Sequence, residues 1–419
     1  MRNGKPRKTE EAAFGSIGKS TMTTVELFCG IGGFRLAADT RRVRTLWAND
    51  ICPKASSVYR GRFGTEQHRK ADIRQVKDEI PQHDLLTGGF PCQPFSSAGK
   101  KKGIRDPRGT LFQEIIDVLA SKQPAFFILE NVKRLLTMER GFHFATILSS
   151  LADSNYQIEW RLLNAMDFGL PQNRQRVFIV GTHERRISTA SALRIRLADS
   201  QDIPTDGGLL EAISEPAAWK PIERHGLRFP TWGMACTGRF IGADLSRFSA
   251  GLPRIRLRDV LEREVAREFD FTETTLKWIA SNTPVNRLVQ GVEILSNQSG
   301  GARMGYTIFG INGLAPTLTS TASRHYERYR IGDRYRRLTN IEYARIQGFP
   351  DDHCSTAPIY DQYALLGNAV PPPMAGWVVD RLTHGGIGPQ DFPVEFRKLD
   401  LYSYADQRAV AHASSEESV

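Results

Sequence analysis

Between Thr24 and Gly181, short apolar runs alternate with stretches of helical period. Thr24–Phe28 is an apolar run that ends at Gly30, Gly32 and Gly33 and predicts a strand feeding a helix through Ala38. Val43–Ala48 predicts a second strand, Pro53–Arg62 a helix, and Asp84–Thr87 a third, buried strand. Leu111, Ile115, Val118 and Leu119 repeat at helical spacing, while Ala125–Leu129 and Arg176–Gly181 are further strands. This alternation predicts an α/β fold with a doubly wound, mostly parallel sheet, whose ligands sit beyond the carboxyl ends of the strands.

After Gly181 the rhythm breaks. Gly and Pro are scattered, and residues 185–336 hold 20 Arg against two Lys, Lys220 and Lys277. Apolar positions at Leu257, Val260, Leu261 and Val265 predict an amphipathic helix around Leu257–Phe269. Thr339 and Glu342 have capping-box spacing, and Gly348 and Pro350 close the helix they open. A second, smaller and irregular domain is therefore expected in the middle of the chain.

Charge adds a partner class. With 56 basic and 46 acidic side chains the chain carries a formal +10, which suits a polyanion, since neutralising phosphates releases counterions. Five cysteines without a C-x-x-C pair argue against a disulfide framework or a structural metal, and for reduced thiols in the cytoplasm. The N-terminal segment is polar and basic, and no run of about 20 apolar residues is present to cross a bilayer.

The chemistry-bearing residues fall at successive strand ends. Phe28-Cys-Gly-Ile-Gly-Gly33 offers free amides and close approach to a ligand, but Arg35 stands where a dinucleotide loop would need its third glycine. Asp50 ends the second strand, where a carboxylate can accept bonds from both ribose hydroxyls, and Asp72 follows the next helix. A tight structural turn is the alternative reading of the loop. Cys92 lies between two prolines in Gly88-Gly-Phe-Pro-Cys-Gln-Pro-Phe-Ser96, where the restricted backbone suits a positioned nucleophile better than packing. Glu130-Asn-Val follows the AFFIL strand, and a carboxyl there is costly unless paired or functional. A raised pKa would let it give a proton to a ring nitrogen at neutral pH. Gln172-Asn-Arg-Gln-Arg176 brings two guanidinium groups, Arg174 and Arg176, towards the same crevice.

Together, FCGIGGF (28–34), ND (49–50), GGFPCQPFS (88–96), RGTLF (108–112), ENV (130–132), QNRQR (172–176), EYARIQGFPD (342–351) and LLGNAVPPP (365–373) resemble the bacterial DNA (cytosine-5) methyltransferases of restriction–modification type. The resemblance runs in order over residues 24–181 and 316–378. It implies an S-adenosylmethionine-dependent methyltransferase fold and a Cys92 nucleophile that adds to C6 of a flipped-out cytosine. It implies Glu130 at N3 and the exocyclic amine, and Arg174 and Arg176 supporting the base and the cysteine loop. Phe28, Gly30, Gly32, Gly33, Asp50, Asp72, Leu111 and Asn368 line up with residues around the cofactor. Gln93, Ser96, Arg108 and Thr317 line up with positions near DNA. One departure is Ala98, where some relatives carry serine.

These roles divide the chain into a flexible basic tail (1–21), a catalytic and cofactor-binding domain (22–184), a target-recognition domain (185–355), a return segment (356–385) and a C-terminal tail (386–419). Arginine with interleaved Tyr306, His325, Tyr326, Tyr329 and Tyr335 makes Arg303, Arg324, Arg328 and Arg330 candidates for DNA contacts. The expected partners are double-stranded DNA and a cognate restriction endonuclease acting on the same site; the expected state is a monomer, away from membranes. The alternatives are a tRNA cytosine-5 methyltransferase of the same fold and a catalytically silent DNA-binding regulator.

Overall fold

The run Thr23–Leu27 becomes β1, with Val25 and Leu27 fully buried because helices cover both faces of the sheet around it. The computed structural model describes residues 21–91, 111–184, 195–199, 202, 208–213, 215–245, 248, 250–298, 304–320 and 327–383. Strands β2 (Arg44–Asp50), β3 (His68–Lys70), β4 (Leu85–Gly88) and β5 (Phe126–Val132) join β1 in the parallel order β3-β2-β1-β4-β5. Helices α1 (Gly33–Asp39), α2 (Pro53–Phe63), α3 (Ile73–Val76) and α4 (Leu111–Lys122) lie between them along the chain. Strand order reverses between β1 and β4, and that switch point opens a crevice at their carboxyl ends.

Past β5 every ladder of this sheet is antiparallel. Helix α5 (Phe142–Ala152) leads to β6 (Tyr156–Asn164), and β7 (Gln175–His183) inserts between β5 and β6. The Glu130-Asn-Val132 segment, expected to follow the strand, is the end of β5 itself, with Glu130 opposite Phe178 and Val132 opposite Arg176.

The middle region divides differently from the expected 185–355 block. After the short helix α6 (Leu209–Ile213), strands β8 (Lys220–Pro221), β9 (Trp232–Cys236) and β10 (Arg239–Ala243) extend the main sheet to ten strands. The anchor is Trp232, fully buried, whose indole N–H donates to the buried Glu159 of β6 at 2.8 Å. Glu159 also accepts the amides of Arg196 and Leu197, so the chain after residue 195 is tied back to the catalytic sheet.

The predicted helix at Leu257–Phe269 is instead two 3-10 turns, Leu257–Val260 and Arg267–Phe269, joined by irregular chain that bends at Arg263 and Glu264. Carbonyls that an α-helix would use are taken by guanidinium groups. Arg345 donates to Val260 O at 3.1 Å and Arg334 to Val265 O at 3.0 Å. Helix α7 (Glu273–Ala280) follows, then a separate sheet of β11 (Thr283–Val289), β12 (Val292–Asn297), β13 (Thr307–Phe309), β14 (Arg328–Ile331) and β15 (Arg334–Arg336).

Helix α8 (Asn340–Gln347) opens with the expected capping box of Thr339 and Glu342 and ends at Gly348 in the left-handed region. Helices α9 (Ile359–Asn368) and α10 (Pro372–Thr383) return the chain to the catalytic sheet. Arg41, just after α1, grips Asp380 of α10 with two bonds of 2.8 and 2.6 Å. Gly33 is needed where the chain passes α1 between α9 and α10, because a Cβ there would sit 2.1 Å from Val370 O. Among the described residues no helix is long and apolar enough to cross a membrane. The proposed tails lie almost wholly outside the described residues.

Candidate active site

At the switch point lies a cavity of about 590 Å³, within the range of small-molecule sites. Its lining gathers Phe28, Gly30, Gly33, Asp50, Asp72, Leu111, Glu130, Arg176 and Asn368 from positions spread over most of the chain. Gly32, Arg174 and Thr317 stand outside that lining. Cys92, Gln93, Ser96, Arg108, Arg303 and Arg324 lie outside the described residues.

The glycine loop is shaped by backbone conformation. Phe28 and Gly30 adopt φ of 52° and 55°, and Gly32, at φ 86°, caps α1. Asp50 holds the loop: one carboxylate oxygen accepts Gly30 N at 2.8 Å and the other accepts Cys52 N at 2.7 Å. The carboxylate expected to accept ribose hydroxyls fixes the loop, with lone pairs left on both oxygens. Burial pushes its pKa up, and the Cys52 and Gly30 amides oppose that shift. Buried Asn49 donates to Arg69 O and Ala71 O, setting the turn that presents Asp72. Asp72 caps α3 and pairs with Arg74, which lowers its pKa. Two acids flanking glycine-loop amides suit the hydroxyls and amino group of an adenosine, so the residues present fit S-adenosylmethionine.

Sequence reasoning missed Glu26, although an acid inside the apolar run TTVEL was a visible signal. It is 1% exposed, lines the cavity, and accepts only the Tyr59 hydroxyl, at 3.3 Å, among the described residues. Burial, partly countered by Arg35, pushes its pKa from 4.5 up to about 8. A carboxyl raised on folding is neutral in the native state while it would ionise in the unfolded chain, so stability falls as pH rises from about 4.5 towards about 8. Glu26→Gln is expected to remove most of this slope, a gain of a few kcal/mol at the alkaline end. Calorimetric unfolding of both proteins across that range checks it; parallel pH profiles would contradict it.

Across the cavity, Glu130 pairs with Arg176 at 3.0 Å, both side chains nearly buried. Burial raises the Glu130 pKa, against the opposing charges of Arg176 and Arg174. Beside it, Asn131 donates to Phe90 O at 3.0 Å, fixing the backbone two residues before Cys92. Phe90 is further seated on Phe112, with ring centroids 5.4 Å apart.

Arg174 does a different job from its neighbour. Its fully buried guanidinium donates to Leu318 O at 2.8 Å, Gly367 O at 2.8 Å and Ala369 O at 3.1 Å. It thereby ties the segment carrying Thr317 to the corner carrying Asn368. Thr317 donates its hydroxyl to Asn173 O at 2.6 Å, and Gln172, another residue without an assigned role, accepts Leu318 N at 3.0 Å. Arg328 and Arg330, on β14, also stand outside this lining.

A glycine loop, two acids and an acid–arginine pair converge on one cavity at the switch point of a doubly wound α/β sheet. The chain belongs to the C-5 cytosine-specific DNA methylase family, whose model matches residues 22–384. It is 42% identical over 209 residues to the Type II methyltransferase M1.ScrFI of Lactococcus lactis subsp. cremoris, covering 49% of this chain and 53% of that protein. The match thus spans about half the length of that relative. The Type II methyltransferase M.Sau3AI of Staphylococcus aureus is 30% identical over 387 residues, 84% of this chain and 92% of that one. The Dnmt2 methyltransferase of S. pombe shares the fold, with a TM-score of 0.55 at 19% identity over 87% of this chain and 98% of its own.

Proposed function

We propose that this chain is a DNA (cytosine-5) methyltransferase that modifies one short duplex sequence, with S-adenosylmethionine as donor. The observation that carries the reading is the Glu130–Arg176 pair, set in the same cavity as the glycine loop, Asp50 and Asp72. The Phe28–Gly33 loop, Asp50, Asp72, Leu111 and Asn368 hold the cofactor, which supplies an electrophilic methyl group. The target cytosine is flipped out of the stack, at a cost of a few kcal/mol, since the reacting atoms are inaccessible in a duplex. The Cys92 thiolate adds to C6, which breaks the aromaticity and makes C5 nucleophilic. Glu130 gives a proton or hydrogen bond to N3, and Arg176 orients that carboxyl. Once C5 carries the methyl group, loss of the C5 proton to solvent, departure of the Cys92 sulfur as thiolate and return of any N3 proton to Glu130 restore the ring.

The five-stranded sheet belongs to the target-recognition lobe, whose candidate DNA contacts are Arg303, Arg324, Arg328 and Arg330. Gln93, Ser96, Arg108 and Thr317 hold the strand around the flipped nucleotide. A monomer acting in the cytoplasm, with a cognate restriction endonuclease sharing its site, completes the reading. Cys92→Ala is expected to abolish methyl transfer to duplex DNA while S-adenosylmethionine binding, followed by titration calorimetry, stays at the wild-type level. Retained turnover in that variant contradicts the covalent mechanism.

A further inference from the structure

Strand β14 turns alternate side chains to opposite faces of the second sheet. Tyr329 is fully buried and packs on Phe309 at 5.6 Å, with Ile331 against the same core. Arg328 and Arg330 therefore share the outer face, about 7 Å apart along the strand. Each guanidinium rests on aromatic rings. Arg328 lies 5.3 Å from the Trp278 ring and 6.0 Å from Phe271, and Arg330 lies 6.0 Å from Tyr335. Trp278 is itself stacked on Tyr306 at 6.1 Å yet remains 48% exposed, an unusual place for the largest apolar ring.

The neighbouring arginines behave differently. Arg334 pairs with Asp270, Arg336 with Glu342 and Arg345 with Asp351. Among the described residues neither Arg328 nor Arg330 has a carboxylate partner. The nearest acid in sequence, Glu327, is turned into the core and held by the Tyr343 hydroxyl. Partial burial lowers the Arg328 pKa, the direction expected of a cation that lacks its anion. Ring contacts restrict both guanidinium groups in advance, Arg328 more than Arg330, which reduces the ordering cost of binding. The same lobe touches the catalytic side: Asn173, which holds Thr317, also donates to Gln290 at the β11–β12 turn.

We propose that Arg328 and Arg330, held on the outer face of β14 by Trp278, Phe271 and Tyr335, form a two-charge rail for backbone phosphates of duplex DNA. This rests on duplex DNA being the substrate. The aromatic residues are positioning residues; the arginines make the contact. The rail supplies affinity and register, and base reading falls to other residues of the lobe.

The test is the salt dependence of duplex binding by the full chain with cofactor present, measured by fluorescence anisotropy. Each phosphate contact contributes a slope of about 0.9 in log K against log salt. The Arg328→Gln/Arg330→Gln pair is expected to flatten the slope by nearly two, so that the wild-type advantage shrinks about tenfold between 50 and 200 mM salt. The methylated motif stays the same. Trp278→Leu, with both charges kept, weakens binding by a smaller factor because the Arg328 plane is no longer held. Since Arg330 is exposed, Arg330→Gln alone keeps the test valid if the double variant folds poorly; it flattens the slope by about one. An unchanged slope overturns the rail, and so does an altered motif at unchanged slope, which would make these arginines base readers. Wild-type protein that binds no duplex at all would instead remove the substrate reading on which the rail rests.

Discussion

Glu130→Gln is expected to lower methyl transfer by two to four orders of magnitude, the range for loss of a positioned proton donor. The amide keeps the shape and can still meet Arg176 through its oxygen, so cofactor binding and fold should survive. What is lost is the proton. In the native chain burial raises the Glu130 pKa above its ordinary 4.5, and Arg176 and then Arg174 hold it down. The acid form therefore persists to higher pH than in water, and the rate falls as pH rises through the native pKa. The glutamine variant lacks that alkaline limb. Arg176→Gln removes the largest opposing charge, so the limb moves to higher pH as the overall rate drops with loss of the 3.0 Å contact. Single-turnover rates across pH for the three proteins check both statements. A glutamine variant within tenfold of wild type, with its alkaline limb intact, contradicts the assignment.

The largest effect on stability is expected at Arg336. Its guanidinium donates twice to Glu342, at 2.7 and 2.6 Å, and the two side chains are 3% and 0% exposed. Glu342 also accepts Thr339 N at 2.8 Å and Glu262 N at 3.1 Å. One carboxylate thus joins the cap of α8, the end of β15 and the chain after Val260. Arg336→Met leaves that carboxylate buried without its cation, at a cost of about 3–5 kcal/mol. Arg336→Met/Glu342→Gln should cost less than the single change, because no stranded charge remains. Urea unfolding of the set checks the order; a single variant within about 1 kcal/mol of wild type contradicts it.

The parts of the molecule that depend on neighbours in sequence were legible in the sequence. The β1 run with its glycines, the acid ending β2, and the Thr339–Glu342 box each carry their reason within a few residues. Strands β8–β10 were hidden because their fate is decided by β6: Trp160 pairs with Gly233, and Trp232 needs Glu159. The 257–269 helix failed for a related reason, since Arg334 and Arg345 arrive from far along the chain to take its carbonyls. Within the site, the family resemblance grouped Arg174 with Arg176, yet their guanidinium groups face different work: one ties two backbone corners together, the other pairs with Glu130. Trp278 carried no signal of its own, because its meaning lies in Arg328, which rests on it and has no carboxylate partner among the described residues.

The most direct measurement is bisulfite sequencing of plasmid DNA from cells that express the wild type or Cys92→Ala. Cytosines protected at one short motif by the wild type, and converted throughout in the variant, are the predicted result. Full conversion in both, with the wild-type protein folded and binding S-adenosylmethionine, would contradict DNA cytosine as the substrate.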